Sequence, residues 1–331
     1  MRLLILGDGP WAANTLVELL RAGYNVAAVV IRRNPSDSTL EDSARGLGLP
    51  ILQPPSANAP EFVESVMRMA VDLGVSISCN QILRRPILDS AQFGFINFHA
   101  GKLPYYRGRN VINWAIINGE SEIGLTAHLI DEGIDTGDIV LQQALPIGWT
   151  DDYGHVLRRL VESFPSFVLR AVRLVESGEL IPQPQRQLAG TYFSARVEGD
   201  EWLDWSDTSF NLYNKVRGIS RPGPGARTLV GDKSVVVWRA AYDPSWPRYI
   251  ATPGQVVGRG DDGVVVKSGD STLLLQEIQV QGNACERPAW PIGTRLGVNL
   301  IDVVHSLQSR VQELETQISS GEKRHGASGS R

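Results

Sequence analysis

Three polar side chains of this sequence have the types and the spacing that acyl transfer to an amine requires. Asn97 and His99 stand two residues apart at the end of a predicted buried strand, so both side chains leave the same face of a sheet. A glycine and a proline follow and end the strand there. Asp135 lies in a turn after a second predicted strand. An amide can bind an oxyanion, an imidazole can move a proton near neutral pH, and a carboxylate can set the charge of that imidazole.

Each of these residues also has a structural interpretation, which the residue types alone leave open. A single histidine is more often a core residue, and an Asp in a Gly-containing turn is often only a turn former. Asp131 and Asp138 flank Asp135 and compete with it for the role of the carboxylate. His128, on the second predicted strand, is either a structural residue or a residue that positions the catalytic side chains without contacting the substrate.

The elements around these residues predict an α/β fold with a Rossmann-like, doubly wound, mostly parallel sheet. Residues 3–6, 11–22 and 25–31 have the patterns of a strand, a helix and a strand, with Gly7-Asp8-Gly9 as the first turn. The third glycine of a dinucleotide-binding fingerprint is absent, so that match is weak. Further strands are predicted at residues 50–52, 75–79, 94–98, 123–130 and 139–144. Further helices are predicted at residues 41–47, 60–73, 110–118 and 153–177.

The pattern changes after residues 181–190, a Pro- and Gln-rich stretch that is typical of a linker. Short strands with turn signals between them follow and predict a small β-barrel. We therefore expect an α/β domain with the candidate site over residues 1–190 and a barrel domain over residues 200–290. The barrel strands are predicted at residues 234–240, 254–259, 263–268 and 271–279.

The C-terminal region has a heptad pattern of its own, which predicts an amphipathic helix over residues 298–318. The simpler interpretation is that this helix packs on its own barrel. The alternative is a short coiled coil between two chains, that is, a homodimer. Residues 319–331 are polar, small and charged, and are predicted to be disordered. The apolar seam consists of Leu300, Val304, Leu307, Val311, Leu314 and Ile318.

Composition places the chain among ordinary globular enzymes. The 331 residues are 42% hydrophobic and 21% charged. The net charge of −4 argues against a protein whose main function is to bind nucleic acid. Two cysteines, Cys79 and Cys285, form neither a disulfide framework nor a metal-ligand pattern. No stretch has the length of a membrane span or the form of a signal peptide, so we expect a cytoplasmic location and no membrane partner.

Longer motifs resemble a known family. The motifs are Asn-x-His, then Leu-Pro-x-x-Arg-Gly, then a Thr-x-His strand followed by Asp-x-Gly, and they resemble the formyltransferases that use N10-formyltetrahydrofolate. The resemblance extends over residues 1 to 285. It implies that Asn97, His99 and Asp135 form the catalytic triad, that the barrel is OB-like, and that no metal takes part. One departure is visible, because many relatives have Ser-Leu-Leu-Pro where this chain has Gly101-Lys102-Leu103-Pro104.

The resemblance also implies a folate site, in which two loops hold the pterin largely through backbone groups. The residues expected to bind N10-formyltetrahydrofolate are Ile82, Leu83, Arg84, Ile130, Asp131 and Gly133. Near the acceptor amine we expect Lys102, Tyr105 and Arg107, although Arg107 has an equally good interpretation as a bridge between loops.

The acceptor itself is the point on which the sequence leaves alternatives open. A tRNA-directed enzyme needs Arg and Lys at the phosphates, whereas the segment 31–50 is short and balanced in charge. We therefore favour an amino group on a nucleotide-linked deoxysugar, with methionyl-tRNA as the second candidate. A hydroxyornithine or an amino acid is a third. A folate-binding module without catalysis is the non-enzymatic alternative.

Overall fold

A seven-stranded mixed sheet is the frame that carries the candidate site. The structure is a computed structural model that describes residues 1–185, 190–298 and 300–326. The strand order is β3-β2-β1-β4-β5-β7-β8; the first four pairings are parallel and the last two are antiparallel. The strands are β1 (Arg2–Gly7), β2 (Asn25–Ile31), β3 (Ile51–Leu52), β4 (Leu73–Ile77), β5 (Phe95–His99), β7 (Glu122–Leu129) and β8 (Ile139–Pro146). A separate pair joins β6 (Arg107–Gly108) to β9 (Tyr192–Phe193).

Helices cover both faces of this sheet, because its central strands are apolar on both sides. Alternate residues of β1 enter two different cores: Leu3 and Ile5 join one, and Leu4 and Leu6 join the other. The helices are α1 (Gly9–Arg21), α2 (Thr39–Gly46), α3 (Pro60–Arg68), α4 (Arg85–Leu88), α5 (Val111–Ile117) and α6 (Tyr153–Ser177). The strand order reverses between β1 and β4, and ligands of such sheets bind at the carboxyl ends of the strands near this point.

The second compact unit is a small closed sheet. The chain divides into residues 1–201 with 213–226, and residues 202–212 with the chain from 227 onward. In the second unit the strand order is β10-β11-β14-β13-β12, with β15 also paired to β14. Bridges Val230–Leu296 and Gln255–Arg295 join one short segment to both edges, which closes the sheet in the manner of a barrel. The strands are β10 (Ala226–Val230), β11 (Lys233–Ala241), β12 (Val256–Gly260), β13 (Gly263–Lys267), β14 (Thr272–Val280) and β15 (Cys285–Glu286). The helix α7 (Ser209–Gly218) begins in the second unit and continues in the first from Tyr213.

The predicted fold class is confirmed, and the differences concern the ends of elements and a few short elements. The helix predicted over residues 60–73 ends at Arg68, because Ala70 has a left-handed backbone (φ +49°) and Leu73 already begins β4. The helix α4 and the strands β6, β9, β10 and β15 were not predicted. Except for the five-residue β10, these segments have two to four residues, which is too short to show a period of 2 or 3.6.

The C-terminal helix α8 (Leu300–Gly326) is longer than the predicted 298–318. The helix extends into the segment predicted to be disordered, residues 319–331, as far as Gly326; residues 327–331 lie outside the described residues. The favoured packing of the seam on the barrel is wrong for its described side chains, since Val304, Leu307 and Val311 are at least half exposed. The barrel core is filled instead by its own strands, from residues such as Val237 and Leu275. Among the described residues, no helix is both long and apolar enough to cross a membrane.

Candidate active site

The three predicted catalytic side chains meet at the carboxyl end of β5. His99 is the last residue of β5, and Asn97 lies directly opposite His128 of the antiparallel neighbour β7. Asp135 arrives from the loop between β7 and β8 with a left-handed backbone, φ +54°. Such a conformation is unusual for a residue with a Cβ and is concentrated at functional sites. The sheet and one bent loop thus bring together residues that are 38 positions apart.

Asp135 lies next to the three other polar side chains of this cluster, Asn97, His99 and His128. Its Oδ2 accepts a hydrogen bond of 2.8 Å from the backbone N–H of Gly108 and lies 3.8 Å from His99 Nδ1. Its Oδ1 lies 3.4 Å from both Asn97 Nδ2 and His128 Nε2. Burial raises the pKa of Asp135, but its electrostatic interactions with His99 and His128 and the hydrogen bond from the Gly108 N–H outweigh burial and lower the pKa to about 2. The carboxylate is therefore negatively charged across the physiological pH range.

His99 is held as a neutral imidazole with a defined tautomer. Its Nε2 lies 2.6 Å from the carbonyl oxygen of Tyr106, and because a carbonyl can only accept, Nε2 carries the proton. The unprotonated atom is then Nδ1, which faces Asp135. Burial lowers the pKa of His99 from 6.5, although Asp135 and the bond to Tyr106 act in the opposite direction. The ring is therefore a base at neutral pH, and the carboxylate beside it stabilises the ring once it has taken a proton.

Asn97 is oriented by partners on both sides of its amide. Its Oδ1 accepts from the Ser76 hydroxyl at 3.1 Å, which directs the NH₂ group toward His128 and Asp135. His128 donates from Nδ1 to the carbonyl of Leu129 at 2.8 Å, so its Nε2 can accept from Asn97 at 3.1 Å. His128 is thus a positioning residue that contacts both Asn97 and Asp135.

A buried bracket of Gln185 and Arg107 holds the loop of Asp135, and of its two residues only Arg107 was predicted as a possible bridge between loops. Gln185 donates to the carbonyl oxygens of Asp135 (2.9 Å) and Gly137 (2.7 Å). Its own carbonyl oxygen accepts from Arg107 Nε (3.2 Å) and Nη2 (2.7 Å). Arg107 also donates to the Tyr192 hydroxyl and is only 2% exposed, which favours the bridging interpretation of this residue over contact with a substrate.

The bracket continues in the β6–β9 pair. A Cβ on Gly108 would lie 2.2 Å from the carbonyl oxygen of Phe193, so only glycine allows these two strands to approach. The close approach leaves the Gly108 N–H free to bind Asp135.

A large cleft of about 1100 Å³ opens beside the cluster. Five of the six predicted folate residues line it: Ile82, Leu83, Ile130, Asp131 and Gly133. The sixth, Arg84, does not line the cleft; its backbone N–H is bonded to the Asn58 side chain at 2.8 Å. Asn97, His99, His128 and Asp135 form one wall of the same cleft.

A second cavity of about 470 Å³ adjoins the cleft on the side of His99, and Ala100, Val111 and Phe193 line both. Of the predicted acceptor residues, Lys102 and Tyr105 line this second cavity, and Lys102 is paired with Glu122 at its rim. Inside, the ring of Tyr106 stacks on Phe193 with centroids 5.0 Å apart.

The departure at Gly101 has a steric explanation. A Cβ at this position would lie 2.5 Å from both His99 Nε2 and the Tyr106 carbonyl oxygen. A side chain such as the serine of many relatives would therefore require this loop to follow a different path.

No three His, Cys, Asp or Glu side chains are grouped as metal ligands within residues 1–185, 190–298 and 300–326.

Comparison with known proteins gives a consistent result at the level of family. Residues 1–172 match the family described as Formyl transferase, and residues 197–290 match that described as Formyl transferase, C-terminal domain. The methionyl-tRNA formyltransferase of Citrifermentans bemidjiense is 33% identical over 290 residues, which cover 85% of this chain and 90% of the relative. That of Symbiobacterium thermophilum is 36% identical over 296 residues, 86% of this chain and 89% of the relative.

Solved structures of similar fold include enzymes that act on sugars. WlaRD, a sugar 3N-formyl transferase solved with dTDP and 5-N-formyl-THF, has a TM-score of 0.66 at 19% identity and covers 86% of this chain and 99% of its own. The N-formyltransferase of Helicobacter canadensis, solved with folinic acid and dTDP-3-aminofucose, has a TM-score of 0.67 at 20% identity, with coverages of 83% and 98%. At these identities the likeness concerns the fold alone.

Proposed function

The chain belongs to the formyltransferase family, and we propose that it transfers the formyl group of N10-formyltetrahydrofolate to the primary amine of a nucleotide-linked amino sugar. The observation that carries the acceptor proposal is the cavity of about 470 Å³ that is lined by Ala100 and Gly101, the two residues directly after His99. Cavities of this size are typical of small-molecule sites.

The larger cleft suits the formyl donor. Its loop walls combine the half-exposed Ile82 with residues 78–81, 130, 131 and 133–135, which is a mixture of apolar and polar surface suited to a pterin ring. Asp131 fixes the path of the second loop, since its carboxylate accepts from the Gly133 N–H (3.0 Å) and the Thr136 hydroxyl (2.7 Å). The donor would thus lie with its reactive end toward Asn97 and His99.

The cluster supplies the proton transfers and the oxyanion binding that the reaction needs. The acceptor amine loses a proton as it attacks the formyl carbon, and His99 Nδ1 is the unprotonated atom that can take it. Asp135 stabilises the resulting imidazolium. Asn97 can exchange its long, 3.4 Å contact with Asp135 for a hydrogen bond to the oxygen that becomes negative. The protonated ring then returns the proton to the departing nitrogen.

Features of the second cavity fit a nucleotide sugar. Tyr105, 47% exposed at the cavity, offers an aromatic face on which a base can stack. Lys102 is half exposed at the rim and can turn from Glu122 to a phosphate. The stacked rings of Tyr106 and Phe193 form an apolar wall suited to a deoxysugar.

Methionyl-tRNA is the second candidate acceptor, and the 31–36% identity to methionyl-tRNA formyltransferases favours it. Against it stands the segment between β2 and α2, which spans only residues 32–38. Its first cation, Arg32, is paired with the buried Asp8 at 2.7 Å. The Ser36 N–H is bonded to the same carboxylate at 3.0 Å, which folds the segment back on the sheet. Few groups of this segment are therefore left to contact the phosphates of a tRNA.

The test is a panel of amines incubated with N10-formyltetrahydrofolate and the full chain, with release of tetrahydrofolate and formylated product as the measurements. We expect product with a dTDP- or UDP-linked amino sugar and none with initiator methionyl-tRNA. His99→Ala is the matched control, and we expect its turnover to be lower by about a hundredfold or more because the proton acceptor is lost.

Product from methionyl-tRNA that falls steeply as salt rises would overturn the sugar proposal and leave the formyl transfer intact. Donor turnover that is equal in the full chain and in His99→Ala would overturn the catalytic assignment as well.

A further inference from the structure

The apolar seam of α8 takes no part in the proposed chemistry. Its described side chains, at positions 304, 307, 311, 314 and 318, are 42–62% exposed along one side of the helix. A contiguous apolar stripe of this kind marks an interaction surface. A helix with such a stripe gains most of its stability from covering it.

We propose that α8 pairs with α8 of a second copy of this chain in a parallel, two-stranded coiled coil. The residue types along the seam are the reason for proposing a second copy of this chain as its partner. Written as a heptad, the a positions are Val304, Val311 and Ile318, and the d positions are Leu300, Leu307 and Leu314. β-branched residues at a with leucine at d favour parallel dimers over trimers and tetramers.

The charges beside the seam agree with the same arrangement. In a parallel pair, each g residue faces the e residue five positions later on the partner helix. Arg310 occupies a g position and Glu315 the following e position, so two identical Arg–Glu contacts form, one on each side of the seam. Within one chain, Arg310 contacts Glu313 at 2.9 Å with both side chains 61% exposed, a weak pair that leaves the guanidinium able to reach across. In an antiparallel pair, g positions face g positions and e positions face e positions, so this Arg–Glu contact does not form.

The length of α8 is sufficient for this interface. Its 27 residues span about 40 Å, and the seam covers nearly three heptads of that length. With so few heptads, dimerisation is expected to depend on protein concentration.

The first experiment measures the molar mass of the full chain by light scattering over a range of micromolar concentrations. We expect twice the mass of one chain at the upper end and dissociation on dilution. Leu307→Lys, which places a charge at a central d position, should have the mass of one chain throughout. Ser309→Lys adds the same charge on the same helix at the outer f position and should remain dimeric. A single cooperative thermal transition in each variant verifies that the rest of the chain is folded.

The second experiment tests the parallel orientation with two charge reversals. Arg310→Glu and Glu315→Arg each place like charges at both g–e contacts, so each should dissociate at a higher concentration than the natural chain. An equimolar mixture of the two restores opposite charges and should recover the dimer.

A natural chain that has the mass of one chain at every concentration would overturn the proposal. A dimer that Leu307→Lys does not weaken would place the interface elsewhere. Charge reversals without effect would exclude the parallel arrangement.

Discussion

At the scale of single residues, one carboxylate sets both the charge and the position of the groups around it. Asp135 is bonded to Gly108 and lies within 3.8 Å of Asn97, His99 and His128. Its charge opposes the effect of burial on His99: burial lowers the pKa of the imidazole, and Asp135 raises it. The His99 ring is thus neutral before the reaction and is still able to accept a proton during it.

Replacing this carboxylate by an amide should change the pH profile in a predictable direction. In Asp135→Asn the amide oxygen can still accept from the Gly108 N–H, but the negative charge that raises the pKa of His99 is gone. The pKa of His99 then falls further below 6.5, so the acid limb of kcat/KM moves to lower pH. We also expect kcat to fall by about a hundredfold or more, because the imidazolium loses its counter-charge. Measuring kcat and kcat/KM between about pH 4.5 and 8.5, that is, about two units on either side of the model-peptide pKa of histidine, checks both effects. An acid limb that stays in place or moves to higher pH would contradict the pairing.

The sequence predicted which residue types meet at the site, but not all of their contacts. Asn97 and His99 could be placed because a strand alternates its faces, and Asp135 because of its motif. The role of His128 followed only from the β5–β7 register, which sets it opposite Asn97. Gln185 lay in a stretch with the composition of a linker, and its contacts with Arg107 and Asp135 span 50 to 78 residues of chain. Contacts at that distance leave no periodic signal in a single sequence.

At the scale of elements, the short pieces of structure matter most to the site. The long strands and helices follow from apolar runs and helical spacing, and these were predicted within a few residues. The two-residue strands β6 and β9 were not, although their pairing directs the Gly108 N–H at Asp135. Gln185 and β9, both after α6, thus hold the loop between β7 and β8 in place.

The bracket of Gln185 and Arg107 predicts that Gln185→Glu impairs catalysis, although Gln185 does not line the cleft. A glutamate still accepts from Arg107, but it has no N–H to donate to the carbonyl oxygens of Asp135 and Gly137. The loop of Asp135 then shifts, and a displacement of about 1 Å at a catalytic group costs on the order of a hundredfold in rate. We expect kcat to fall with KM nearly unchanged, and the acid limb of the pH profile to move as in Asp135→Asn.

Gln183→Glu is the matched control for this prediction. It makes the same chemical change two residues earlier, on an exposed side chain whose residue is held by backbone bonds to Ile139. Its kcat and pH profile should equal those of the natural chain. If Gln185→Glu lowered only the temperature of unfolding, the bracket would be structural alone.

At the scale of the whole molecule, the cleft and cavity proposed for catalysis and the seam proposed for dimerisation belong to different compact units. Every residue that lines the cleft or the adjoining cavity lies between Trp11 and Ala195, inside the first unit. The seam of α8 belongs to the second. Heptad spacing predicted the seam from the sequence, whereas its exposure could not be predicted, because exposure depends on how fully the barrel strands fill their own core.

The last prediction follows from this separation. A chain that ends at Val298 lacks α8 and its seam but keeps every residue that lines the cleft and the cavity. Because the described seam side chains are already exposed, their removal uncovers little of the barrel core. We expect unchanged affinity for the formyl donor by titration calorimetry, unchanged kcat with whichever amine supports turnover, and the mass of one chain at all concentrations. The full-length Leu307→Lys variant, equally unable to pair but still carrying α8, should match the truncated chain in all three measurements. Loss of turnover in the truncated chain alone, with its thermal transition intact, would mean that α8 contributes directly to the site.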